Sequence, residues 1–402
     1  MRLLQLVHGF PPEQNAGTET YAARLADGLR ARGWEVLTLA AAPRPGEPMY
    51  AIRRSPGVVR VANNAPYAGL RRPSDPAMDR IVARELAAFR PDVVHVQHLQ
   101  GLSTTLPVGR VVWTLHDAFA FCAAGGLLLR DGRACDGPGE ACAACASGWA
   151  RDNRFVTGAM AAAAKVPVSP DRLHHLWKRL PASLRDRVSR APAPPLTAAQ
   201  IRARSAALRA FARRCTLVAP SRWLAREAER HGLGPVTVVP HGVDPAPVPR
   251  TGDGPFLFLG TLAPHKGPHL VVEAARRAGV ALDVVGPDGP DAAYAAALPR
   301  RGSLAATDVP AALARARALV LGSVWPENAP LVVLEARAQK CPVIAPDIGG
   351  LPEICDARYP PGDVDALATW MRAPPPSPAP PPSFAAHLDA ILGVYKRTLE
   401  RP

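Results

Sequence analysis

No apolar run in this 402-residue chain approaches the roughly 18 residues that a membrane-spanning helix needs, so the sequence carries no candidate span. The opening "MRLLQLVHGF" is too short for a secretory signal and lacks a small-residue cleavage site. It reads as a first strand, and the chain reads as cytoplasmic. There is no internal repeat beyond a likeness between the two halves. No G-x-G-x-x-G appears, which leaves a dinucleotide site unsupported. Neither a helix-turn-helix spacing nor an aromatic platform motif is present, so nucleic acid is not an expected partner. Cysteines number only seven, and Cys215, Cys341 and Cys355 are scattered, as small core hydrophobes are.

What is present is a hydrophobic content of 48%, enough for a large core, in a length that suggests two domains. Short apolar strands alternate with helical stretches. "RLLQLVH", "WEVLTLA", "VVHVQH", "RVVWTLH", "LVAPS" and "VTVVPHG" fall in the first half; "FLFLGT", "LDVVG", "ALVLGS" and "PVIAP" fall in the second. Continuous apolar strands with helical crossovers imply parallel sheets covered on both faces, and two such sets imply two doubly wound α/β domains. The boundary is placed at residue 243, before a Pro/Gly-rich hinge, with the second domain over 244–383. Residues 373–382, "APPPSPAPPP", cannot be helical and form an extended connector. The last stretch, 384–402, is amphipathic and helical, with Phe384, Leu388, Ile391, Leu392 and Tyr395 on one side.

Residues 118–215 interrupt the alternation as an insertion in the first domain. Cys122, Cys135, Cys142 and Cys145 lie there within 24 residues. In a cytosolic chain such clustering favours a metal site over disulfides, and four thiolates would close a structural zinc site with no open position for catalysis. Reduced buried thiols are the alternative. Next comes a basic stretch: from Lys165 to Arg214 there are twelve Lys or Arg and two Asp, +10 of the chain's net +14. Leu173, Leu176, Trp177 and Leu180 make it amphipathic, suited either to peripheral contact with an anionic membrane or to packing on its own domain.

In open parallel sheets ligands bind at the carboxyl ends of the strands. The first strand runs into "HGFPPEQNAGTE" and a helix near Thr18, where Gly17 would let backbone N–H groups face an anion; an ordinary turn capped by Thr18 is the plainer alternative. "FLGTLAPHKG" repeats the arrangement with Gly260, Thr261 and Lys266, a point charge suited to a diphosphate. In "SVWPENAPLVVLEA", Pro330 suits the first turn of a helix, so N–H groups near Asn328 to Leu331 would face the crevice. Glu335 lies about 7 Å along that helix at ~1.5 Å per residue. A phosphate at the helix start would then have Glu327 on one side and Glu335 on the other, each able to accept from hydroxyls. A ligand with hydroxylated rings flanking a diphosphate is a nucleotide sugar.

The E-x7-E of Glu327 and Glu335 resembles the signature of the retaining nucleotide-sugar glycosyltransferases of family 4, also called group 1, which have the GT-B fold. "NAGTETYAARLADGLRARGWEV", "TLHD", "APSRWL", "VVPHGVD", "FLGTLAPHKG", "PDIGGLPEI" and "YPPGDVDALA" extend the resemblance over nearly the whole chain, in the family's order. It implies two Rossmann-like domains facing each other across a cleft. The first, residues 1–243, would serve the acceptor and the second the donor, with the final helix returning to the first.

By the same resemblance Glu327 and His116 contact the donor sugar as catalytic residues, Glu335 the ribose and Lys266 the diphosphate, while the Gly17 loop approaches phosphate and acceptor. The family often carries Arg where Thr261 stands, and Arg222 is the candidate replacement charge; a Gly-Gly pair is here Ala16-Gly17. No Asp-x-Asp at a strand end suits a metal, so metal-independent transfer of a hexose or related sugar is expected, without a catalytic cofactor. The acceptor would be a glycan or lipid-linked intermediate of a cell-surface polysaccharide or glycolipid. A sugar-nucleotide epimerase and a non-enzymatic zinc-stabilised binding module with a basic face are the competing readings.

Overall fold

The structure, a computed structural model, describes residues 1–44, 46–65, 68–127, 135, 137–149, 181, 195–289 and 291–400. Among these residues there are two sheets. The first comprises β1 (Arg2–Val7), β2 (Glu35–Ala42), β3 (Ile52–Ser55), β4 (Val58–Ala62), β5 (Val93–Val96), β6 (Val111–Thr114), β7 (Cys215–Ala219) and β8 (Val236–Val238). Their order is β3-β4-β2-β1-β5-β6-β7-β8. All pairings are parallel except β3 with β4. The second sheet holds β9 (Phe256–Leu259), β10 (Leu282–Val285), β11 (Leu319–Val320), β12 (Val343–Pro346) and β13 (Ala357–Tyr359). Its order is β10-β9-β11-β12-β13, parallel throughout.

The central strands are buried along their length because helices cover both faces, which is why they read as unbroken apolar runs. Each sheet has its own cores. Leu4, Leu6, Val94, Val96, Trp113 and Leu217 centre one, and Phe256, Phe258, Val284, Val320 and Ile344 another. The expected strands all form. Three further ones, β3, β4 and β13, escaped the sequence reading. β3 is an edge strand bearing exposed Arg53 and Arg54, and turns into β4 through Pro56 and Gly57. β13 has only three residues, too few for a period to show.

The helix Phe384–Leu399 lies on the first sheet's side, not the second's. Leu388, Ile391, Val394 and Tyr395 pack with Leu3, Tyr21, Leu25, Val93 and Val112. The buried stripe also takes in His387 and Thr398, while Phe384 and Leu392 are only half-buried. To reach it the chain crosses back between the lobes. The Val243 N–H donates to the Pro382 carbonyl at 3.0 Å, so the outward and return crossings run side by side. No described helix is long and apolar enough to cross a membrane. The amphipathic basic stretch of Leu173, Leu176, Trp177 and Leu180 lies outside the described residues.

Candidate active site

The carboxyl ends of both sheets open onto one cavity of about 1340 Å³. The first sheet contributes His8 after β1, His116 and Asp117 after β6, and His241 after β8. The second contributes Gly260 and Thr261 after β9, Lys266, Gly286 after β10, and residues 325–332 after β11. Of the sites expected from sequence, Gly17, His116, Gly260, Thr261, Lys266, Glu327, Asn328, Leu331 and Glu335 all line it. Residues 318 positions apart in the chain therefore share one wall-to-wall space, from Gly17 to Glu335.

Glu327 is buried, and three donors converge on its Oε1: Lys266 Nζ at 2.6 Å, Trp325 Nε1 at 2.8 Å and Ser323 Oγ at 2.9 Å. Burial by itself pushes this carboxyl's pKa up. The Lys266 charge and these hydrogen bonds outweigh it and hold the group below the usual carboxylate range, ionised. The backbone is packed to match. Gly349 has φ +64° and a Cβ there would collide with the Glu327 carbonyl; Gly267 has φ +63° and a Cβ would collide with the Gly322 carbonyl. The second close approach brings the Lys266 turn against the end of β11. Lys266 also lies 4.8 Å from the Trp325 ring centroid, so Trp325 braces both partners.

The helix Leu331–Ala338 begins at Pro330 without a side-chain cap, and Ala329 to Val332 face the cavity. Pro330 is thus the residue before the helix, not its first turn. The helix Gly17–Ala31 likewise starts uncapped, from Ala16; Thr18 is not its cap. Several helices elsewhere are capped by side chains, among them those after Asp75, Thr197, Ser221 and Ser383. Uncapped N-termini leave N–H groups and the positive dipole end toward the cavity, where an anion would be stabilised. Glu335 sits one turn along the helix, and its Oε1 accepts from Arg24 Nη2 at 2.7 Å, an ion pair across the cleft.

His116 is half-buried and its Nε2 is 2.9 Å from Gln97 Oε1. Gln97 Nε2 donates to Gln5 Oε1, and Gln5 Nε2 donates to the Ala22 carbonyl. Since each amide nitrogen is committed as a donor, the Gln97 oxygen is left as acceptor, and His116 carries its proton on Nε2. Burial, then the neighbouring imidazoles led by His241, push its pKa far down, so the ring is neutral. It belongs to a wall of neutral imidazoles: burial also takes His8 and His241 down to about 3. Tyr21 packs between His116 and His241, with ring centroids 4.9 and 4.4 Å away. The Tyr21 hydroxyl is 3.0 Å from His387 Nε2, and His387 Nδ1 is 2.7 Å from the Pro240 carbonyl. Nδ1 therefore holds the proton, and Nε2 accepts from Tyr21.

Two assignments change. Arg222 does not line the cavity. It opens the helix Arg222–Arg230 with an exposed side chain, because that helix start is turned to the Glu353 carboxylate, which accepts from the N–H groups of Arg222 and Trp223. Asn328 lines the cavity, but both ends of its amide are committed to the first lobe: Nδ2 donates to the His116 carbonyl at 2.9 Å and Oδ1 accepts from Ser221 Oγ at 2.6 Å. The cysteines are not brought together as expected either. Among the described residues no group of three or more His, Cys, Asp or Glu is placed to hold a metal ion. Backbone N–H groups of Gly137 and Gly139 instead donate to the sulfurs of Cys135 and Cys142, and Cys142 packs beside Leu70 and Leu196.

The sequence reading passed over Glu19, paired with His8 at 3.1 Å, as well as Arg24, His241 and Ser221. The available signal was the pair of strand-end His-Gly steps at His8 and His241 and the Gln residues inside apolar strands β1 and "VVHVQH". A polar side chain in a strand buried on both faces needs a partner.

Residues 15–135 match the family described as Glycosyltransferase Family 4, and residues 245–372 that described as Glycosyl transferases group 1. A glycogen synthase of Mycobacterium tuberculosis is 32% identical over 168 residues, 35% of this chain and 40% of that protein's length. Among solved structures, sucrose-phosphate synthase from Thermosynechococcus elongatus superposes with a TM-score of 0.56 at 17% identity, covering 99% of this chain and 92% of the other. The Anabaena protein HepE, solved in complex with UDP-glucose, gives 0.54 at 15% identity over 100% and 98%. Two parallel-sheet lobes facing one cavity, and both family matches falling one on each lobe, make the chain a member of the group 1 glycosyltransferases, with the GT-B fold.

Proposed function

We propose that the protein transfers a sugar from a nucleoside-diphosphate sugar to an acceptor hydroxyl with retention of anomeric configuration. The observation that carries this is the ionised, buried Glu327 held by Lys266 beside the uncapped start of the helix Leu331–Ala338. A diphosphate at that helix start meets N–H groups and a cation, and the flanking carboxylates Glu327 and Glu335 receive hydroxyls of sugar and ribose. The known complex of HepE with UDP-glucose supports a uridine diphosphate donor as the first to be tried.

Departure of the diphosphate builds negative charge on its oxygens and positive charge on the sugar's anomeric carbon. The helix N-terminus and Lys266 stabilise the first, fixed in place before the reaction begins. The ionised Glu327 stabilises the second, and the neutral His116, its Nε2 proton held by Gln97, can accept a hydrogen bond on Nδ1 without opposing it. The acceptor hydroxyl enters from the first lobe on the face the diphosphate leaves and passes its proton to the departing phosphate oxygen, which gives retention without an enzymic nucleophile. The protein's own groups supply this charge balance, so transfer is read as metal-independent. A glycan or lipid-linked acceptor fits a first-lobe wall of neutral imidazoles, which favours hydroxyl groups over charged ones.

Nucleotide release and sugar transfer, followed by mass spectrometry over a panel of nucleotide sugars with wild type and Glu327→Ala, test this. Acceptor-dependent transfer lost in the variant is expected. Epimerised free sugar without any acceptor requirement would establish the epimerase reading instead. Unchanged transfer in Glu327→Ala would remove the assigned role.

A further inference from the structure

We infer that Asn328 is a positioning residue that ties the two lobes together and sets His116 against Glu327. Asn328 directly follows Glu327 in the chain, and its side chain is buried against the other lobe. One amide spans two first-lobe loops: the loop after β6, through the His116 carbonyl, and the loop after β7, through Ser221 Oγ. Ser221 Oγ also accepts the Leu224 N–H, so its own proton is free to go to Asn328 Oδ1. The reverse amide orientation would set two oxygens against each other at His116, so only an amide in this sense satisfies both loops.

The surroundings are shaped to admit it. Gly350 lies beside this contact, and a Cβ there would collide with the Asn328 carbonyl and press on Ser221. Gly350 N–H in turn holds the Glu327 carbonyl at 2.7 Å. A few residues on, the Glu353 carboxylate caps the first-lobe helix start at Arg222 and Trp223, at 2.9 and 2.7 Å. The lobes thus meet in a short polar strip whose centre is joined by backbone to both Glu327 and His116. Small displacements of such groups lower turnover more than they weaken ligand binding. The consequence for turnover rests on the transferase reading; the clasp itself does not.

Asn328→Asp and Asn328→Leu separate this from a general packing effect. The charged and titratable groups around the site are His116, neutral through the working range, and Asp117 in one loop, Arg222 in the other, and Glu327, held ionised by Lys266, with Glu353 on the second lobe. At pH 8 an aspartate faces the His116 carbonyl with a bare oxygen, and the link breaks. Buried beside that carbonyl, it regains a proton on mild acidification and with it the donor. Turnover, donor KM and hydrogen exchange of residues 115–121 and 219–224 would be measured at pH 8 and pH 5.5 against wild type, after a melt confirms folding. Expected for Asn328→Asp at pH 8 is a fall in kcat of about tenfold or more, with donor KM changed less than about threefold and faster exchange in both loops. These differences shrink at pH 5.5, whereas Asn328→Leu stays impaired at both. Wild-type exchange in Asn328→Asp at pH 8, or the same acid recovery in Asn328→Leu, would overturn the clasp. Should wild type release nucleotide from no donor, the transferase reading fails and the exchange data alone decide the clasp.

Discussion

Lys266 Nζ lies 2.6 Å from Glu327 Oε1, and the two residues come from loops following different strands of the second sheet, β9 and β11. The Glu327 side chain is almost wholly enclosed, while that of Lys266 keeps about a quarter of its surface exposed. This asymmetry means that Glu327 depends on Lys266 for its charge more than Lys266 depends on Glu327. Lys266 retains N–H capacity for a diphosphate, and Glu327 has the remaining lone pairs for a sugar hydroxyl.

Lys266→Met is expected to destabilise the fold by about 3 kcal/mol at neutral pH, since it leaves a buried carboxylate without its cation. Urea melts at several pH values would read this. Glu327's folded-state pKa is lowered, so the pair's contribution is complete above the ordinary carboxylate value and is lost as pH falls through the lowered one. The variant's deficit should therefore narrow in acid. A variant as stable as wild type at pH 7 would show that Ser323 and Trp325 alone sustain the charge.

Arg24→Ala acts on the other carboxylate. Arg24 occupies Glu335 Oε1, which the proposed donor needs for its ribose hydroxyls. Half-exposed pairs of this kind are worth at most about 1 kcal/mol. Nucleoside diphosphate should bind up to about fivefold more tightly to the variant, with a weaker salt dependence, by titration calorimetry. Weaker binding would mean that Arg24 contacts the nucleotide itself.

Acid stability provides a test of the imidazole wall. Burial holds His8, His95 and His241 down to about 3, and His116 lies well below its ordinary value too. The unfolded chain takes up these protons near the usual imidazole value of about 6.5, the folded chain only much lower. Stability is thus complete above that value and falls as pH drops below it, each histidine contributing up to about 1.4 kcal/mol per pH unit. A melting temperature that declines steeply between pH 6.5 and 4.5 is expected. A flat profile over that interval would mean that the rings take up protons in the fold as readily as in the unfolded chain.

His387→Ala removes the acceptor of the Tyr21 hydroxyl and leaves that group buried without a partner, which costs about 1–3 kcal/mol. Because Tyr21 packs on His116, turnover should fall together with the melting temperature. Adding Tyr21→Phe to His387→Ala should recover part of the stability, as no orphaned hydroxyl remains. No recovery in the double variant would show that the hydrogen bond is unimportant to the anchor.

The parallel strands, the two-lobe plan and the carboxylate pair at Glu327 and Glu335 were determined by local pattern. Apolar runs bounded by Gly and Pro declare buried strands whatever surrounds them, and the strand-end rule then marks the loops where ligands sit. β3 and β13 escaped for the complementary reason: an exposed Arg-bearing edge and a three-residue strand carry no period. What Asn328, Arg222 and Arg24 do was decided only when the lobes faced each other. Asn328 sits in the same motif as Glu327, yet its amide is spent on His116 and Ser221, and Arg222 points to solvent while its N–H meets Glu353. Spacing along a chain fixes which face of a strand or helix a side chain occupies. The partner waiting across a cleft depends on how two separately folded sheets dock, and hydrogen bonds between residues more than a hundred positions apart leave no periodic trace in sequence.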